Sequence, residues 1–214
     1  MKNRACFGKI GLAFVLMVFL LTACSTTPAV RYYTLNPFSE MQPDISQTVS
    51  DTTLAIGVGP VEFPKFLDRP QIVTRKSQHR VEVSEFHRWA GLFSEDFLRV
   101  LTKNISMLLP KDRVAEYPWT DQFSPAFRIP LTVEQFDGRF GEHVVLNVTW
   151  SVWNQKDAND PVMKHTRIKE PVSASDYDAL VAAQSRAIGT LSRAIVDEIE
   201  RVSHRDRGFS GSKN

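Results

Sequence analysis

An apolar run from Ile10 to Ala23 follows Lys2, Arg4 and Lys9 and ends in Leu21-Thr22-Ala23-Cys24. A positively charged start, an apolar core and a small residue at the cut are the parts of a secretory signal. Here the residue after the cut is a cysteine. The competing reading is a transmembrane anchor, but the run is shorter than the ~20 residues that a helix needs to span a bilayer. It reads as a leader that is removed, so the folded unit is built from the residues beyond Ala23. About 190 residues remain, enough for one domain with a sizeable core.

The Cys24 context resembles the lipobox of bacterial lipoproteins. That resemblance implies a diacylated Cys24 thiol, loss of residues 1–23, and a third acyl chain on the new amino group. Each buried methylene contributes about 0.8 kcal/mol, and two or more chains anchor stably. Ser25 stands where the inner-membrane retention signal of enteric bacteria has aspartate. By that analogy the anchor sits in the inner leaflet of the outer membrane, facing the periplasm. Residues 24–30 form the acylated cysteine and a short tether. The six from Ser25 to Val30 extend at most about 20 Å, which keeps the domain near the leaflet. Cys6 leaves with the leader and Cys24 is acylated, so no disulfide is available although the periplasm permits one. The cofactor expectation is correspondingly spare: none beyond the covalent lipid on Cys24.

Three of the 26 Lys and Arg residues lie in the leader, leaving 23 against 24 acidic residues. No charge excess of the kind that binds nucleic acid survives.

Arg31 to Leu35 has aromatic and β-branched character and reads as a strand, followed by a long polar loop from Asn36 to Asp51. Thr53 to Phe63 reads as a second strand, bent at Gly57, Gly59 and Pro60 and placed at a sheet edge. Gln71–Thr74 and Arg80–Val83 read as a short hairpin. Ser84 is expected to cap a helix from Glu85 to about Leu109, stopped by Pro110. Phe86, Trp89, Phe93, Phe97, Val100, Leu101, Ile105 and Leu108 form its apolar stripe. Phe127–Val133 and Val144–Trp153 read as a long hairpin, and Met163–Ile168 as a further strand. Ser175 is expected to cap a helix from Asp176 to about Val202. Strands come in runs, each followed by a helix. That order predicts an α+β fold, a single domain over 31–203 with an antiparallel sheet packed against two long helices. Residues 204–214 read as a polar, disordered tail.

Motifs for catalysis are absent. His79, His87, His143, His165 and His204 have no metal-ligand spacing, and no GxSxG elbow or free thiol exists. Gly57-Val58-Gly59 is half a dinucleotide fingerprint followed by Pro60, which fits a strand bend better. The chain between Asp68 and Arg88 is rich in cations, suited to anionic headgroups, to an acidic partner, or simply to an exposed hairpin. Trp150 and Trp153 are three apart on one strand and face opposite sides. The one off the core, with Arg139 at the hairpin turn, is the candidate partner contact; burial under the second helix and a structural turn are the plain alternatives.

Several segments together resemble the PqiC-like lipoproteins, the ABC-type transport auxiliary lipoproteins of the paraquat-inducible membrane-integrity system. They are Tyr32-Tyr33-Thr34-Leu35 after the lipobox, Arg88-Trp89-Ala90, Leu108-Leu109-Pro110, Glu134 to Arg139, and Ser175-Asp176-Tyr177. The resemblance implies a non-catalytic outer-membrane subunit that receives the far end of a tube of MCE-domain proteins rooted in the inner membrane. A homo-oligomeric ring around the tube end is implied too. Only Cys24 maps onto a family functional residue; Ser25 carries the sorting analogy. Two alternatives stay open: a periplasmic lipid carrier with an apolar cavity, and an envelope hydrolase.

Cys24→Ala is expected to abolish acylation and leave the leader uncleaved at Ala23. Labelled palmitate incorporated into that variant would refute the lipobox assignment.

Overall fold

The computed structural model describes residues 28–37, 53–110 and 112–210, with backbone alone at 157–160 and 206–210. The leader, Cys24, Ser25 and most of the long polar loop lie outside the described residues. The elements are β1 (Arg31–Tyr33), β2 (Ala55–Glu62), β3 (Gln71–Arg75), β4 (Val81–Trp89), α1 (Phe93–Leu108), β5 (Arg113–Glu116), β6 (Phe127–Gly138), β7 (His143–Asn154), β8 (Asp157–Pro171) and α2 (Tyr177–Ser210).

The α+β class holds, with two corrections. There are two sheets, ordered β1-β4-β3 and β5-β2-β6-β7-β8, and both are mixed. β1 runs parallel to β4, and β2 runs parallel to both β5 and β6, while the remaining pairs are antiparallel. The helices are also unequal, at 16 and 34 residues.

The expected helix start at Glu85 is wrong, because β4 continues to Trp89. Phe86, Trp89 and Phe93 imitate helical spacing, yet β4 has a hydrogen-bonding partner on each side, and those ladders satisfy the backbone that a helix would satisfy internally. Gly91, a poor helix former, separates the two. Ser84 caps nothing helical; its hydroxyl accepts from the His87 amide at 3.0 Å within β4. The N-cap of α1 is Leu92, without a side-chain cap. Asp68, from a separate loop, accepts from the Ser94 amide at 3.2 Å instead. In α2 the cap is Asp176 rather than Ser175, with its carboxylate 2.7 Å from the Ala179 amide. This helix runs on to Ser210, through seven residues expected to be disordered.

β2 is an interior strand and not an edge. Pro60 falls in the register shift between Val58 and Val61, where no ladder donor is required of it. Gly59 has φ +104°, and a Cβ there would stand 2.8 Å from Cβ of Tyr117. Only glycine fits both constraints.

Both helices cover one face of the five-stranded sheet. Val144, Leu146, Val148, Trp150 and Val152 of β7 are buried on that face, as the alternation predicts, against Leu180, Ile188, Leu191, Ile195 and Ile199 of α2. The smaller sheet is joined to this core by β6. A bulge between Val133 and Gln135 leaves both Val133 and Phe136 facing inward although they are three residues apart. Phe136 stacks on Phe93 at 5.3 Å and meets Phe97 edge-on at 5.7 Å, and Phe93 stacks on Trp89 of β4 at 4.4 Å. The next residue, Asp137, points the other way and is fully buried. It takes two hydrogen bonds from the Arg75 guanidinium, at 2.8 and 2.5 Å, and one from Gln135 at 2.8 Å.

Arg75→Ala would leave a buried carboxylate without its counter-charge, a change that costs about 3–5 kcal/mol. A sharply lower Tm is expected, and an unchanged Tm would mean that water reaches Asp137. Phe97→Ala, which truncates a fully buried ring, is expected to cost about the same.

Candidate docking surface

The face of the five-stranded sheet turned away from the helices, which β3 meets at the Asp137 end, carries the residues left over by the alternation. Trp153 is 38% exposed there, its indole N–H donating to Ser151 Oγ at 2.8 Å. Register places Arg128 of β6 beside Trp153, and Gly57 of β2 beside Arg128. Paired residues share a face. A Cβ at Gly57 would lie 2.7 Å from Cζ3 of Trp119, so glycine is what allows the Trp119 ring to close on the sheet. Tyr117 meets Trp119 edge-on at 5.3 Å, Phe123 lies 6.5 Å from it, and Arg113 sits 5.8 Å over Phe123.

The result is a row across the sheet in which exposed Arg128 lies in register between Trp153 and Gly57, the residue that Trp119 covers. Met163, 69% exposed, follows in the next row opposite Ser151. The rows beyond are polar. Thr149 donates to Glu134 at 2.8 Å and lies 3.2 Å from Nδ1 of His165.

Trp150 is 3% exposed and donates to Thr166 Oγ1 at 2.9 Å; it is a core residue and not available as a partner contact. Trp153 is the tryptophan that lies off the core. Arg139 sits in the β6–β7 turn, 3.3 Å from Glu142. Val144, next to that turn, and Trp153 are nine residues apart along β7, about 30 Å. Arg139 and Trp153 therefore belong to opposite ends of the hairpin and do not form one patch.

Arg128 and Trp119 were not among the expected contacts. The alternation of Phe127, Ile129, Leu131 and Val133 puts Arg128 on the outer face, a signal already present in the chain. Nothing local shows that Trp119, in a proline-bounded loop, folds back onto Gly57 of a strand sixty residues earlier.

Two other clusters bear on function. An open cleft of about 440 Å³ at the start of α1 is lined by Leu92, Glu95, Asp96, Arg99, Glu116 and Tyr117. Its lining mixes Glu95, Asp96, Arg99 and Glu116 with Ala90, Leu92, Leu98 and Tyr117, and it is open to solvent, unlike the enclosed apolar cavity that a lipid carrier would need. Asp96 is committed to the entering chain: its carboxylate accepts from the Leu35 amide at 2.6 Å, while Arg99 donates to the Leu35 carbonyl at 2.9 Å. On another side His87 stacks on Tyr177 at 3.8 Å and 13°, flanked by Tyr33, and Phe140 meets Tyr177 edge-on. Burial and then the Arg31 charge lower the His87 pKa, against an opposing pull from Asp178. Among the described residues no group of three or more His, Cys, Asp or Glu is arranged to hold a metal, and no helix is long and apolar enough to cross a membrane.

A family model described as the ABC-type transport auxiliary lipoprotein component matches residues 33–196. No curated protein matches the chain. Among solved structures, an uncharacterised protein is similar at 20% identity and TM-score 0.65, over 80% of this chain and 99% of that one. Protein XCC0632 from Xanthomonas campestris, of the DUF330 family, is similar at 14% identity and TM-score 0.66, over 83% and 99%. At those TM-scores the likeness is one of fold.

A base whose pKa is depressed by folding is held neutral in the native state. The stability so gained is present above its unfolded pKa, about 6.5, and is lost as pH falls through the lower folded value. His87→Phe keeps the stack and removes the proton site, so its Tm should drop less than the wild type between about pH 7 and pH 5. Equal drops would show that His87 is not the group that titrates.

Proposed function

The chain belongs to the family of ABC-type transport auxiliary lipoprotein components, and on that premise we propose that it is the lipid-anchored docking subunit of an intermembrane lipid transport system. In this reading acylated Cys24 holds it to the inner leaflet of the outer membrane, with Ser25 permitting export from the inner membrane. The domain faces the periplasm and receives an MCE-domain tube protein rooted in the inner membrane. Its role is non-catalytic, and several copies in a ring would surround the tube end.

The observation that carries docking is the Trp119, Arg128, Trp153 stripe. Interfaces concentrate their energy in Trp, Tyr and Arg, commonly 2 kcal/mol or more per residue, and here such residues are gathered at one end of a sheet face, with exposed Met163 in the next row. Trp153 lies on the outward side of β7 and is spare to the core, which leaves part of its ring free for a partner.

Trp153→Ala and Arg128→Ala are each expected to weaken capture of the MCE-domain protein by the acylated subunit about 30-fold, with Tm close to wild type. Arg139→Ala, at the far end of the hairpin, should leave capture intact. Full binding by both stripe variants would move the docking surface elsewhere. Loss in Arg139→Ala alone would move it to the β6–β7 turn.

A further inference from the structure

β1 runs parallel to β4, with Arg31 level with His87 and Tyr33 with Trp89. Since β4 leads away from the β3–β4 turn, the N-terminal end of β1 points back toward that turn. The distance is set by β3. Gln71 lies opposite Arg88, which is level with Tyr32, and the four steps from Gln71 to Arg75 carry the sheet about 13 Å toward the turn. The eight steps from Tyr32 back to Cys24 reach at most about 28 Å. An acyl anchor at Cys24 can therefore pass the turn by little more than about 10–15 Å.

The turn at this end of the sheet carries two cations, Lys76 and Arg80, beside His79. Lys76, His79 and Arg80 are all exposed. Arg80 makes no side-chain hydrogen bond or ion pair among the described residues. Lys76 pairs with Glu82 at 2.7 Å, both half in solvent, and Arg75 is turned inward to Asp137. The remaining hairpin carboxylate, Glu85, lies further from the turn along β4. Val81 and Val83, 37% and 36% exposed, come directly after the turn.

We propose that the β3–β4 turn rests on the anionic phospholipid headgroups of the leaflet that holds the anchor, through Lys76, His79 and Arg80. The proposal rests on acylation of Cys24. The leaflet is favoured as occupant because chain length and strand direction bring this end of the molecule to the anchor, and each cation near an anionic surface strengthens attachment about fivefold. Contact here orients the domain: the lipid holds one point, the turn a second. The β7–β8 turn, beside Trp153, is then carried away from the leaflet.

Acylated protein bearing Gln78→Cys, whose only free thiol is the new one, is labelled with a fluorophore and inserted by its anchor into phosphatidylcholine vesicles with or without phosphatidylglycerol. A headgroup spin-labelled lipid is the quencher, and a Gln155→Cys probe on the β7–β8 turn is the control. The expected result is quenching at position 78 that strengthens with phosphatidylglycerol and weakens in high salt, with none at 155. Arg80→Gln should lower the docked-to-free ratio about fivefold. Vesicle flotation without quenching at 78, quenching that ignores phosphatidylglycerol, or equal quenching at 155 would overturn the proposal while leaving the anchor in place. Failure to float would overturn the anchor and the proposal together.

Discussion

Two neighbouring residues of β6, Phe136 and Asp137, join the parts of this domain. In a regular strand consecutive side chains leave by opposite faces, and here the two faces meet different neighbours: Phe136 meets Phe93 and Phe97 of α1, and Asp137 meets Arg75 of β3. The bulge just before them sets which residue faces which way. One apolar contact and one buried ion pair therefore fasten α1 and the smaller sheet to the same short stretch of backbone. A buried pair of this kind is not in itself a large source of stability, but losing one member is costly, so it acts mainly to specify how the sheets meet.

The same economy governs how the chain enters the fold. The chain enters at β1, only three residues long, and such a strand alone resists little. Directly after it, Leu35 is fully buried and its amide and carbonyl are held by Asp96 and Arg99 of α1. A pull on the residues before β1 is thus delivered to a helix in the core and not to a fraying strand edge. The Trp119, Arg128, Trp153 stripe lies on the sheet face turned away from both helices. The entering chain and the aromatic stripe thus occupy separate surfaces, as the proposed role of a subunit between a membrane and a second body requires.

Much of the β-hairpin scaffold was legible from alternation alone. Val144, Leu146, Val148, Trp150 and Val152 read as one face and are one face, and α2 follows its apolar stripe from Leu180 to Ile199. The misreadings share a cause. Glu85 to Trp89 carries helical spacing but is a strand, because β1 and β3 flank it. Gly57 to Pro60 has the marks of an edge but is interior, because β5, a four-residue strand with little pattern of its own, pairs with it from fifty residues away. The Trp119 loop is silent for the same reason: its partner is a missing side chain at Gly57.

The amino-acid sequence by itself determined what local chemistry determines: a charged start and an apolar run that closes on Cys24, the alternation that makes one face of β7 apolar, and a family likeness carried by short motifs in order. Those signals are read over a few residues, at the period of a strand or a helix. Tertiary structure decided which strands are neighbours, that both sheets are mixed, that Trp150 is buried while Trp153 is not, and that Arg139 and Trp153 stand at opposite ends. Each of these depends on pairing between distant segments, whose free energy comes from burying surface against a particular partner. No window of sequence contains that partner.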